Sequence, residues 1–194
     1  MKRLFYIVTC ILLLPSLGKS QAVTPEEELD YIIEDFTLPG GRLGNNVNSI
    51  VEGPYGFLWF GSHGGLHRYD GYEFVTYKNV PSDTLGESTT LSYQYVEGLY
   101  WDKFNMLWVM TWGGGIFRFD PVTEVFKHYA HNPDDSTSIS HPRVTCATED
   151  SRGQLWFGTV DGLNKFNRET ETFTRYYANP EDPNTLSYDN VRIL

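Results

Sequence analysis

The sequence repeats itself three times, and no other feature limits the fold as strongly. Leu58-Trp59-Phe60-Gly61 returns as Leu107-Trp108-Val109-Met110 and as Leu155-Trp156-Phe157-Gly158, with tryptophans 49 and 48 residues apart. Upstream stands a Val-x-x-apolar element, Val47/Ile50, Val96/Leu99 and Val144/Ala147, at the same spacings. Downstream come Gly65-Leu66-His67-Arg68-Tyr69-Asp70, Gly115-Ile116-Phe117-Arg118-Phe119-Asp120 and Gly162-Leu163-Asn164-Lys165-Phe166-Asn167. Each unit closes on Phe-x-x-Tyr (Phe74/Tyr77, Phe126/Tyr129, Phe173/Tyr176), and each connector ends on Leu91-Ser92, Ile139-Ser140 or Leu186-Ser187.

Within a unit the apolar residues alternate with period two in four short runs, 47–52, 57–61, 66–70 and 74–78 in the first copy. Gly53-Pro54-Tyr55-Gly56, Gly64-Gly65 and Asp70-Gly71 separate them, which is hairpin chemistry. A two-helix repeat fails on that alternation and on the glycines. Four antiparallel strands in about 48 residues make the blade of a β-propeller. The expected fold class is all-β, a propeller fragment of about three four-stranded antiparallel blades preceded by a signal peptide. Blades are placed at 43–92, 93–140 and 141–187, and 188–194 opens a truncated fourth. The segment 23–42 includes a candidate ring-closing strand at 31–37. With strands a to d running outward from the axis, short a–b and c–d turns share one end. The b–c loops and the long d–a connectors (79–92, 130–143, 178–190) share the other, where a rigid scaffold usually carries its binding residues.

The first 22 residues read as a secretory signal: Lys2 and Arg3, an apolar run from Leu4 to Leu14 broken only by Thr9, then small residues at Ser20 and Ala22. The run is short for a membrane span, although an uncleaved anchor is the competing reading. Cleavage after Ala22 removes three cations and takes the formal charge from −10 to −13. With no basic cluster beyond the N-terminus, nucleic-acid binding by this segment is excluded. Cleavage also removes Cys10, leaving Cys146 as the lone cysteine, read as a buried structural thiol.

Residues that recur in every unit are read as structural. Trp59, Trp108 and Trp156 pack blade against blade, and Gly61 and Gly158 allow close approach or a bulge. Arg68, Arg118 and Lys165 are solvated or ion-paired, and the acids of the turns and connectors are turn chemistry. Ligand candidates are the unrepeated residues of the loop face. Trp112, followed by three glycines, offers a flat ring to a sugar, or packs inward into room made by Met110. His63 and Asp161 hold comparable b–c positions and can hydrogen-bond hydroxyls. No catalytic constellation, metal-ligand spacing or phosphate loop is present, so no cofactor and no metal are expected.

The third copy, Glu149-Asp150-Ser151-Arg152-Gly153-Gln154-Leu155-Trp156-Phe157-Gly158-Thr159-Val160-Asp161-Gly162-Leu163-Asn164-Lys165-Phe166, resembles the two-component regulator propeller repeat. The first copy departs at Gly53, the second at Met110 and in a b–c loop one residue longer. The resemblance covers about 43–194 and implies the periplasmic sensor of a hybrid histidine kinase that regulates transcription in glycan-degrading bacteria. There, two seven-bladed propellers and a β-sandwich precede a membrane helix, a kinase core, a receiver and a DNA-binding regulator. It further implies an oligosaccharide ligand, the remaining blades and signalling domains of the parent chain as partners, and an exported location at the periplasmic face of the inner membrane. It leaves room for a homodimer of the parent. On this reading the segment is not itself an enzyme. The competing readings are a secreted propeller enzyme acting on polysaccharide, a lyase or glycoside hydrolase, and an adhesion scaffold. The reading frame beyond residue 194 separates them.

Overall fold

Period-two alternation turns each repeat into an antiparallel meander, because successive side chains of a strand face opposite sides. The computed structural model describes residues 37–39, 46–77, 87–88, 91, 93 and 95–194, all within the unit Phe36–Leu194. The leader read at 1–22 lies outside the described residues, as does the closing strand read at 31–37 apart from Thr37. The first sheet runs β1 (Val47–Glu52), β2 (Leu58–Ser62), β3 (Gly65–Tyr69) and β4 (Phe74–Tyr77) in sequence order. A two-residue strand, β5 (Glu87–Ser88), then precedes β6 (Val96–Trp101), β7 (Leu107–Thr111), β8 (Ile116–Asp120) and β9 (Val125–Tyr129). The third sheet is β10 (Val144–Glu149), β11 (Leu155–Thr159), β12 (Leu163–Asn167) and β13 (Thr172–Tyr176). The middle sheet departs from the four-strand expectation: β5 pairs with β9 and makes five. Part of the connector thereby covers an outer edge whose backbone donors and acceptors would otherwise lack partners.

The cores lie between sheets. Trp59, Leu66 and Tyr77 of the first sheet meet Val96, Leu107, Phe117, Phe119 and Phe126 of the second. Trp108, Met110, Ile116 and Tyr129 of the second meet Val144, Leu155, Phe157, Phe166 and Phe173 of the third. Strand β6 packs beside both β1 and β10, which brings the first strands of the sheets together. Each of these strands carries a register irregularity at the same point, Val47/Ser49, Val96/Gly98 and Val144/Cys146. Such bulges add twist where strands converge.

Opposite the bulge stand the pairs Ser49–Gly61, Gly98–Met110 and Cys146–Gly158. One partner is always small, so Met110 is the second blade's exchange of small and large: a Cβ on Gly98 would stand 2.9 Å from its Cε. A Cβ on Gly61 would reach 2.6 Å from Val96 Cγ1 of the next sheet.

The turns also tie the tryptophans down. Asp102 accepts from the amides of Phe104 and Met106 with one carboxylate oxygen and from the Trp108 indole at 2.8 Å with the other. Asp150 repeats this with Arg152, Gln154 and Trp156. Burial works to raise the Asp102 carboxyl, but the Trp108 indole and the Arg168 guanidinium outweigh it and hold it below the usual carboxylate range. In the first blade Gly53 replaces the aspartate, and the indole nitrogen of Trp59 is buried without a partner. The space is taken by Trp101: a Cβ on Gly53 would stand 2.7 Å from that ring.

The recurrent cations clamp neighbouring blades. Arg68 and the Tyr77 hydroxyl both reach Glu124, and Arg118 and the Tyr129 hydroxyl both reach Glu171, with Lys127 on the other carboxylate oxygen. Both glutamates sit at φ +55° in the c–d hairpin of the following blade.

Candidate functional site

The residues on either side of the blade-to-blade stack at the loop end are the ones that vary. Two positions matter in each blade, the residue just before strand a and the residue just after strand b. The backbone joins them: the His63 amide donates to the Asn46 carbonyl at 3.1 Å, and the Trp112 amide to the Tyr95 carbonyl at 3.1 Å. Their side chains form a continuous row across the three blades. Asn46 meets His63 at 3.3 Å, His63 stacks on Tyr95 with centroids 3.8 Å apart, and Tyr95 lies 5.1 Å from Trp112. The Arg143 guanidinium carbon then stands 3.2 Å from the Trp112 ring centroid. Arg143 comes from the blade after Trp112, as Tyr95 comes from the blade after His63.

The structure thus brings two of the three candidate ligand residues, Trp112 and His63, into one row through Tyr95. Asp161 is exposed in the turn of the third blade, where its amide donates to Thr159 Oγ1. Trp112 is 44% exposed rather than packed inward. It is not a bare platform either, because Tyr95 and Arg143 both lie against its ring. Tyr95 and Arg143 have no counterpart in the repeat pattern. The signal for them is the variation itself: the position before the recurrent valine holds Asn46, Tyr95, Arg143 and Asn190 in turn.

The loop that carries Trp112 is held from two sides. A Cβ on Gly114 would stand 2.4 Å from the Tyr93 ring, so glycine is what lets that ring lie on the backbone. From below, His128 stacks flat on Phe117 with centroids 4.1 Å apart, and its Nε2 lies 2.5 Å from the Gly114 carbonyl. Burial pushes the imidazole below its usual 6.5, against an opposite pull from that carbonyl. As pH falls through about 6.5 the unfolded chain therefore takes up this proton first, and folding stability drops. Thermal melts at pH 5 are expected to fall below those at pH 7.5, with a smaller drop in His128→Phe. Equal drops in both proteins would contradict this role for His128.

The long connectors are internally wired. Asn132 and Asn179 each donate their amide to a hydroxyl six residues on, Ser138 or Thr185, at 2.8 Å. Arg175 of the third blade fastens the first of these loops through the carbonyls of Asp135 and Ser138. A row from the buried Ser62 and His67 to the half-buried Thr76 has nucleophile-like residue types, but His67 is fully buried. A cleft of ≈ 570 Å³ opens at the opposite, turn end, lined by Phe104, Met106, Arg118 and Arg168 among others. Among the described residues no cluster of three His, Cys, Asp or Glu could hold a metal, and no helix is long and apolar enough to cross a membrane.

The family model described as two component regulator propeller matches residues 41–64 and 138–161. A histidine kinase of Formosa agariphila, named P4, is 30% identical over 151 residues, 76% of this chain and 10% of the relative. Among solved structures, the extracellular domain assigned to the hybrid two-component system BT3049 of B. thetaiotaomicron is 27% identical with TM-score 0.65. The match covers 75% of this chain and 20% of that one. The virginiamycin B lyase of Staphylococcus aureus shares the fold at TM-score 0.56 and 19% identity, over 79% of this chain and 47% of the lyase. The chain spans only about a tenth of its kinase relative.

Proposed function

We propose, from the match of the two-component regulator propeller model to two stretches of the chain and the likeness to an extracellular domain of a hybrid two-component system, that the chain is the ligand-sensing propeller of an exported hybrid histidine kinase. Its ligand is an oligosaccharide. The observation that carries this reading is the aromatic row His63–Tyr95–Trp112 at the loop end, on a scaffold whose similarity to extracellular domains of hybrid two-component systems is the reason to expect a sensor. Aromatic rings offer a sugar an apolar face, and neighbouring polar groups fix its orientation. Continued onto Arg143 of the third blade, the row crosses two blade boundaries. A ligand bound along it touches three blades at once and favours one relative placement of them. Such a difference in affinity between two states is what a signal to a kinase requires. The blades and signalling domains of the longer parent are its intramolecular partners.

The test is a glycan array probed with the exported portion of the parent protein, followed by titration of each hit. Trp112→Ala is expected to weaken binding by about two- to tenfold, on the scale of one aromatic contact. Unchanged affinity would remove Trp112 from the site.

A further inference from the structure

Resting on the oligosaccharide reading of this rim, we infer that the sugar it selects is acidic, and that its anionic group docks on Arg143. Of the residues before strand a, only Arg143 is charged; Asn46, Tyr95 and Asn190 hold the same place in the other blades. Its guanidinium lies against the Trp112 ring, with the central carbon 3.2 Å from the centroid. A guanidinium held against an aromatic face keeps its in-plane donors for partners at its edge.

Those donors are under-used. The ion pair of Arg143 is a single contact from Nη2 to Glu97 at 3.2 Å, and both side chains are partly open to solvent. Charge-assisted contacts of full strength are shorter, about 2.7–2.9 Å, and paired on arginine. Arg168 shows the stronger case in the same protein, with both terminal nitrogens engaged, at 2.7 Å to Asp102 and 2.6 Å to Glu149. A partly exposed, one-point pair contributes little to stability. A carboxylate that makes two parallel contacts can therefore take the place of Glu97 at little cost. With the anion on Arg143, the sugar ring falls beside Trp112 and Tyr95, the exposed and half-exposed members of the row. A uronate carboxylate and a sulfate ester offer the same chemistry, and the probes below separate them.

The experiment is calorimetric titration of the exported portion of the parent protein with trimers of galacturonate, glucuronate and guluronate. Methyl esters of the same trimers, neutral galactose and glucose trimers, and 6-sulfated galactose trimers complete the panel. At least one uronate or sulfated trimer is expected to bind, and at least tenfold more tightly than its esterified or unsulfated counterpart. Arg143→Gln is expected to weaken the charged ligand far more than its neutral counterpart and so to erase that difference. Arg143→Lys is expected to recover only part of it, because the ammonium lacks the fork. If Arg143→Gln weakens charged and uncharged ligands equally, the residue merely supports Trp112 and the inference is overturned. Neutral trimers binding better than every acidic one would overturn it while leaving the oligosaccharide reading standing. Failure of all the sugars to bind would take that reading down as well.

Discussion

Replacing Trp108 by alanine is expected to cost about 3–5 kcal/mol of folding stability, the range for removing a fully buried large aromatic side chain. Trp108 is fully buried between the second and third blades. Its ring meets Tyr129 at 5.7 Å, Phe157 at 5.1 Å and Phe166 at 5.0 Å, and its indole is anchored on Asp102. The same substitution at Trp156 serves as the control. That ring is only partly buried and, among the described residues, has a single aromatic partner, Tyr176. Its removal is expected to cost less than about half as much, since the loss scales with the packed surface and the cavity left behind. Urea unfolding of the two variants gives the comparison directly. Equal losses at the two sites would mean that the stacking of one blade on the next is not what stabilises the molecule.

The second large effect is at Gly115, where Gly115→Ala is expected to cost about 2–4 kcal/mol, a left-handed backbone penalty plus steric overlap. The residue has φ +80°, and a Cβ there would stand 2.4 Å from the Tyr129 carbonyl oxygen, a backbone atom with no room to move. Its amide donates to the Pro142 carbonyl at 2.7 Å, and its own carbonyl accepts from Thr111. Gly115 therefore fixes the Trp112 loop to the connector that delivers Arg143. Gly71→Ala is the matched control, because Gly71 has φ +100° and no atom within 4 Å of the added carbon. It is expected to lose only the dihedral part, about 1–2 kcal/mol. Circular-dichroism melts that place the two variants together would show that the overlap is relieved by a shift elsewhere.

The strands were legible in the sequence because their alternation is local and repeated. The runs read at 47–52 and 74–78 are observed at Val47–Glu52 and Phe74–Tyr77. The blade clamps were not, because the partners lie 56 residues apart for Arg68–Glu124 and 53 for Arg118–Glu171. Only the register between blades brings them together. The link from Asp102 and Asp150 to the indoles was hidden for a different reason: these aspartates already had a sufficient role as turn formers. At the candidate site, Trp112 stood out as an unrepeated residue on a glycine loop, whereas Tyr95 and Arg143 sit at the ends of connectors, where variation looks unremarkable. Their meaning comes from the stacking of one blade's entry residue on the previous blade's exit residue. Asp161 shows the converse, a polar loop residue whose amide donates within its own turn.

Hydrogen–deuterium exchange with and without a bound oligosaccharide tests the account most directly, since it locates the ligand without choosing a variant. Slower exchange is predicted in the loop-end segments 93–96, 111–115 and 141–144, which carry Tyr95, Trp112 and Arg143. The opposite turns at 102–106 and 150–154 are predicted to stay unchanged. Protection confined to those turns, beside the ≈ 570 Å³ cleft, would contradict a sensing site on the rim.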